Sequence, residues 1–209
     1  MIKSEADLLF YLEADRFALE RRRANPTFHD DIWKYQILLR KVEFYSNIAP
    51  SPVTTLFKVF YKFRKHRLGR LLGFSIPANV FGPGLRINHY GYLVVHEAAR
   101  IGMWCDIHQG VNIGSNNSES GAPLVPKIGS NVWIGPGAKL FGDIIIGDGM
   151  QIGANAVVNK SFSGQKTVGG VPARVISNSG TASISVSASK KMTEKFVLEN
   201  PQFIHYFQS

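Results

Sequence analysis

The sequence predicts a mainly β chain: a stacked parallel β-helix preceded by an α-helical N-terminal region. Three observations point there. Large apolar residues recur every six positions through the middle of the chain, 17 of the 20 glycines fall between residues 74 and 176, and residues 1–73 show helical spacing broken by prolines. Period six matches neither the 3.6-residue helix nor the two-residue strand over such a length. It suits a solenoid, in which each short strand cannot bury its apolar side alone and must stack on the next coil.

The first region, 1–73, reads as three helices. In SEADLLFYLEADRFALE, Leu8, Leu9, Leu12 and Phe17 fall near helical spacing, with Ser4 as N-cap. Pro26 breaks this run, and His29-Asp30-Asp31 opens a second, IWKYQILLRKVEFYSN, with acids where the helix dipole favours them. Pro50 and Pro52 end it. The third, TTLFKVFYKFRKHRLGRLL, is aromatic on one side and carries Lys58, Lys62, Arg64, Lys65, Arg67 and Arg70. Such a basic amphipathic helix suits a solvated face beside a packed one, or peripheral contact with an anionic membrane.

The second region, 74–176, holds the repeat. Phe81, Ile87, Leu93, Ile101, Ile107, Ile113, Ile128, Ile134, Leu140, Ile146, Ile152 and Val158 are separated by six residues in nine of eleven intervals. The exceptions span eight residues (93 to 101) and fifteen (113 to 128). Glycine often follows directly, which suggests corners with backbone angles that a side chain would obstruct. Four residues after the key aliphatic, a small or apolar side chain recurs, as at Cys105, Val132 and Ala156. The third region, 177–209, begins as a Ser-rich linker and ends in Lys191–Phe207, which suits a short helix docked on a neighbouring subunit.

Composition bounds the function. At 209 residues and 44% apolar content the chain can bury a core, and at 19% charged it is not a disordered tail. The formal charge is +9, most of it in the first region, and no nucleic-acid-binding module accompanies it. The single cysteine, Cys105, excludes an internal disulfide and a Cys-cluster metal site. No run approaches a membrane span, and Glu5 and Asp7 argue against a signal peptide, so a soluble cytoplasmic protein is expected.

With these repeats the chain resembles the hexapeptide-repeat acyltransferases, which fold as left-handed parallel β-helices with three hexapeptides per triangular coil. The helical head, the closing Gly169-Gly170-Val171-Pro172-Ala173-Arg174, and Ile87-Asn88-His89 followed by Val94-Val95-His96-Glu97 are more specifically similar to the serine acetyltransferase branch. The resemblance implies a homotrimer with sites between β-helices, acetyl-CoA as co-substrate and no metal. It also implies His89 as the base that removes a proton from the acceptor hydroxyl during direct attack on the thioester, which an imidazole can do near neutral pH.

Around His89, counting one coil forward puts Gln109 over it, to orient the ring or touch the acceptor. His108 is the reserve base or a surface residue. Glu97 is the carboxylate expected to hold the imidazole, unless it caps the eight-residue corner. Backbone N–H groups at Gly114, Gly135 and Ala154, with Pro136 beside them, suit the amide-rich arm of coenzyme A, and Lys160 and Arg174 its phosphates. The Ser115–Lys127 excursion is expected to cover the arm or the acceptor, or to be a tolerated insertion.

The departures bear on the acceptor. Serine acetyltransferases carry an acid where Asn88 stands, an Arg-His pair where Leu124-Val125 stand, and an Asp where Phe74 stands. A free amino acid needs partners for its ammonium and carboxylate. Their loss favours a saccharide hydroxyl, on a lipid-linked saccharide or nucleotide sugar, with Asn88, Gln109 and His108 as binding residues. Serine O-acetyltransferase is the alternative, with acceptor contacts from the head. A non-catalytic trimeric scaffold, or a zinc site drawn from His89, His96 and His108, is the third reading.

Overall fold

A computed structural model of the chain describes residues 1–117, 121–183 and 190–208. Three helices come first: α1 (Glu5–Ala18), α2 (Asp31–Asn47) and α3 (Pro52–Leu72). The Ser4 hydroxyl accepts the Asp7 N–H while the Asp7 carboxylate accepts the Ser4 N–H, so two orphan donors of α1 are satisfied reciprocally. Ser51 and Thr54 repeat the device at α3. Pro52 does not merely end the second helix, because it also opens α3, where its missing N–H costs nothing. Gly73, at φ +80°, closes α3.

Short strands then wind into a three-sided prism. On one face Phe81, Ile101, Ile128, Ile146 and Phe162 stack coil upon coil, all in parallel. On the second, Ile87, Ile107, Ile134, Ile152 and Val168 do the same. On the third, Val95, Ile113, Leu140 and Val158 align. None of the twelve repeat residues is more than 5% exposed, and burying each such side chain is worth about 1.5–3 kcal/mol. The eight-residue interval has a simple cause. Leu93 sits over Phe74 while Val95 sits over Ile113, so the strand Leu93–Val95 absorbs two extra residues with both ends buried. The fifteen-residue interval puts out a hairpin, Asn116–Asn117 against Pro123–Leu124. The part of the expected covering loop at 118–120 lies outside the described residues.

Corner glycines serve close stacking more than unusual angles. A Cβ on Gly82 would meet the carbonyl carbon of Gly102 at 2.8 Å, and one on Gly102 would meet that of Gly129 at 2.7 Å. Left-handed positions go also to Trp104, Asn131 and Asn155, at φ 56°, 58° and 55°.

A buried ion cluster fastens the head to the first coil. The Arg40 guanidinium on α2 is fully buried and donates to both Asp15 carboxylate oxygens at 2.8 and 3.1 Å, to Glu43 at 3.0 Å, and to the carbonyls of Phe81 and Gly82 at 2.9 and 2.7 Å. Asp15 also accepts the N–H groups of Gly84 and Leu85, each at 2.9 Å. Burial works to lower the Arg40 pKa, but the two carboxylates outweigh it and hold the guanidinium charged.

At the other end of the chain, α4 (Lys190–Glu199) and a 3₁₀ segment, Pro201–Phe207, pack on α1. Tyr206 stacks on Phe10 at 4.1 Å and donates its hydroxyl to Asp7 at 2.9 Å, while Phe196 meets Phe17 and Trp104. The tail therefore docks on its own head, which corrects the expectation of a neighbouring subunit. The middle of the Ser-rich linker, 184–189, lies outside the described residues. Among the described residues no helix is long and apolar enough to cross a membrane.

Candidate active site

The edge that follows the Ile87–Val168 face is built by a ladder of backbone hydrogen bonds. Asn88 N–H donates to the Ile107 carbonyl at 3.2 Å, His108 to Ile134 at 3.1 Å, Gly135 to Ile152 at 2.8 Å and Gly153 to Val168 at 2.7 Å. Asn88, His108, Gly135 and Gly153 are thereby stacked in one column, and His89, Gln109, Pro136 and Ala154 follow them in the next. Two coils carry polar side chains; the next two are glycine. A Cβ on Gly135 would meet the Ile152 carbonyl oxygen at 2.8 Å and Ala154 N at 2.9 Å. The result is a closely stacked glycine strip running away from the histidines, with the Trp133 ring packed against Gly135 and 5.0 Å, edge-on, from the His108 ring.

At the histidine end the side chains form a connected cluster. Arg86 is anchored outward, to the Ala18 carbonyl at 2.9 Å and to Glu20 at 3.3 Å. Its Nε donates to Asn88 Oδ1 at 3.1 Å and lies 3.8 Å from Asp106. Because Asn88 accepts through Oδ1, its Nδ2 faces the other way, onto the buried Asp106 carboxylate and, at 3.2 Å, onto His108 Nε2. His108 Nε2 is 3.5 Å from Asp106. Burial depresses the His108 pKa, with Asp106 opposing and the positive sides of His89 and Arg86 reinforcing. The His89 ring is exposed in the single chain and lies 6.1 Å from the His108 ring.

The family description Bacterial transferase hexapeptide (six repeats) matches residues 126–160. Over that stretch the chain carries hexapeptide repeats. Its left-handed β-helix and N-terminal helices are similar to those of serine acetyltransferases. That of Synechococcus elongatus is 42% identical over 115 residues, 54% of this chain and 47% of that one. That of Staphylococcus xylosus is 38% identical over 129 residues, 57% and 59% respectively. The chain thus spans about half the length of the curated relatives it matches. Among solved structures, serine acetyltransferase from Brucella abortus in complex with coenzyme A superposes with a TM-score of 0.65 at 29% identity, covering 84% of this chain and 70% of that one.

Within the hexapeptide-repeat chain the expected residues divide. Asn88, His89, His108, Gln109, Gly135, Pro136 and Ala154 share the edge just described. Gln109 lies one coil beyond His89, and its Oε1 is buried with no hydrogen-bond partner among the described residues. Glu97 follows the Leu93–Val95 strand and stands at another edge, exposed. Its carbonyl accepts from Arg100 at 2.9 Å, and it makes no hydrogen bond to His89. The expected Glu97–His89 pairing is absent from the chain; the carboxylate on the histidine edge is Asp106. Sequence reasoning passed over Asp106, although the 20-residue step from Arg86 puts it in register and two residues before His108.

Gly114 lies at the edge of Glu97, beside Phe141, so it does not join Gly135 and Ala154 within one chain. The Gly135 N–H is engaged by the Ile152 carbonyl, which corrects its role as a free donor: glycine there lets the next coil and the Trp133 ring pack closely. Lys160 is exposed over the Phe162 ring, and Arg174 is exposed on the strand pairing with Thr167–Gly169. Phe74 is buried against Tyr35 at 5.2 Å. Among the described residues no three His, Cys, Asp or Glu side chains are placed to hold a metal, and His96 stands at the edge of Glu97.

Proposed function

We propose that the chain is an acetyl-CoA-dependent O-acetyltransferase. His89 takes the proton of an acceptor hydroxyl as its oxygen attacks the thioester carbonyl; a C–O bond forms, the C–S bond breaks, and the proton passes to the departing thiolate. The supporting observation is the edge itself, an accessible imidazole at the head of a glycine strip that suits the pantetheine arm. On this reading residues 74–176 are the transferase unit, residues 1–73 its helical head and residues 177–209 a tail. The exposure of His89 leaves one wall of the cleft to a neighbouring copy, as in a homotrimer working in the cytoplasm. Lys160 and Arg174 then meet the cofactor's phosphates, and Glu97 and Gly114 serve the edge that a neighbour would present.

Serine is the acceptor named for the relatives, and it is the first reading. A neutral saccharide hydroxyl is the second, favoured by the apolar Phe74 and Leu124-Val125, which offer no partner to an ammonium or a carboxylate. Thiol release from acetyl-CoA, measured with serine and with sugar acceptors on wild type and His89→Ala, tests both. Acceptor-dependent release that disappears in the variant supports the transferase, and the productive acceptor chooses between the readings. Release independent of any acceptor, or unchanged in the variant, refutes it.

We also infer a peripheral contact between α3 and an anionic lipid surface. One face of α3 packs on α2 through Phe57 and Tyr61 against Tyr45. The rest exposes Leu56 (68%), Phe60 (47%), Phe63 (66%) and Leu71 (77%) among Lys62, Arg64, Arg67 and Arg70, with no acid in the helix. Apposing two such helices would set cation against cation, whereas anionic headgroups complement them.

A further inference from the structure

Asp106 and His108 are the titratable groups that the proposed transfer leaves without a task. Asn88 holds the key to them. Arg86 Nε has only a proton to give, so the Asn88 atom it meets at 3.1 Å is the carbonyl oxygen, and the amide nitrogen is left facing Asp106 and His108. That nitrogen has two protons. One serves the Asp106 carboxylate; the other points along the 3.2 Å contact to His108 Nε2. An Nε2 that accepts must be unprotonated, which puts the ring proton on Nδ1.

We infer that His108 is an acceptor-binding residue, held by Asn88 and Asp106 in its Nδ1–H form so that Nδ1 donates a hydrogen bond to a second oxygen of the substrate bound by His89. This rests on the transferase reading and deepens it: the acceptor class is a hydroxyl compound with another oxygen three or four bonds away, which a vicinal diol and the carboxylate of serine provide respectively. No Nδ1 hydrogen bond is made among the described residues, and the 6.1 Å between ring centroids lets two neighbouring oxygens reach both rings. Burial keeps the ring uncharged near neutral pH, and the groups facing it are Arg86 and His89, which oppose protonation, and Asp106, which favours it. When His89 takes the proton, His108 is held neutral more firmly and still donates.

Two measurements on the full chain test this. Nitrogen-15 spectra of the histidines at neutral pH should show His108 with its proton on Nδ1, and Asn88→Ala should shift the proton to Nε2, facing Asp106. A proton on Nε2 in the wild type overturns the assignment. The substitution pair His108→Asn and His108→Gln separates binding from structure, since the Asn amide nitrogen replaces Nδ1 and the Gln amide nitrogen replaces Nε2. The acceptor KM should stay near wild type in His108→Asn and rise about tenfold in His108→Gln, the loss of one hydrogen bond, with the acetyl-CoA KM unchanged in both. Equal effects, or the reverse order, sink the proposal. Should no acceptor be acetylated, the transferase reading fails separately, and addition of L-serine and methyl glucoside still decides: movement of the His108 Nδ1 resonance with either supports the contact, and its absence with both refutes it.

Discussion

Asn88 lies one coil from His108, its amide nitrogen 3.2 Å from the imidazole Nε2, and its orientation is dictated from behind by Arg86. Asn88 thereby becomes the link between a surface arginine and a half-buried imidazole.

Removing the proposed base is the first prediction. His89→Ala should lower kcat for acetyl transfer by about 10²–10⁴-fold and leave the Kd for coenzyme A near wild type. Calorimetric titration beside steady-state kinetics checks both.

The second concerns acid. The folded state holds His108 below its ordinary value of 6.5. The unfolded chain therefore binds the proton more readily, so stability is complete above that value and falls as pH drops below it toward the folded pKa. Thermal melts between pH 7.5 and 5 should show a decline that is shallower in His108→Asn. An equal slope in both proteins would show that other groups account for it.

Breaking the buried ion cluster comes third. Arg40→Met would leave Asp15 and Glu43, 2% and 1% exposed, without their cation. Orphaning buried charge costs about 3–5 kcal/mol, read as a lower urea midpoint. Replacing all three with apolar residues should recover much of that loss.

Close stacking gives the fourth. Gly102→Ala places a Cβ 2.7 Å from the Gly129 carbonyl carbon and from Ser130 N, both backbone atoms that cannot swing aside. Overpacking of this kind costs about 1–3 kcal/mol, whereas Gly121→Ala, at φ +78° with nothing among the described residues within 4 Å of the added Cβ, reads out the cost of backbone angle.

For α3, converting Lys62, Arg64, Arg67 and Arg70 to Gln should weaken sedimentation with phosphatidylglycerol vesicles, and the wild-type binding should fade with salt. Wild type failing to bind, or equal binding by both proteins, removes the lipid contact.

Much of this architecture is legible in the chain because its determinant is periodic. A six-residue spacing assigns Ile87, Ile107, Ile134 and Ile152 to one face without reference to anything distant, and all four are buried there. What depends on pairings between non-adjacent segments is not legible. Arg40 reads as one more surface cation on a basic helix, since nothing local reveals that Asp15, 25 residues earlier, and the Phe81 carbonyl await it. Glu97 was the natural carboxylate for His89 by proximity in sequence, but the prism turns a corner between them. Asp106 is farther along the chain and stands on the histidine edge, against Asn88 and His108. The docking of the tail is hidden for a similar reason: its aromatic residues advertise burial, and only the fold says against which surface.

Asp15 bridges the guanidinium of α2 and the amides of Gly84 and Leu85, just ahead of the strand that leads to Asn88 and His89. Head and histidine edge are consequently fastened through one buried carboxylate. Whatever seats the helices also sets the height and tilt of the strand that carries the imidazole.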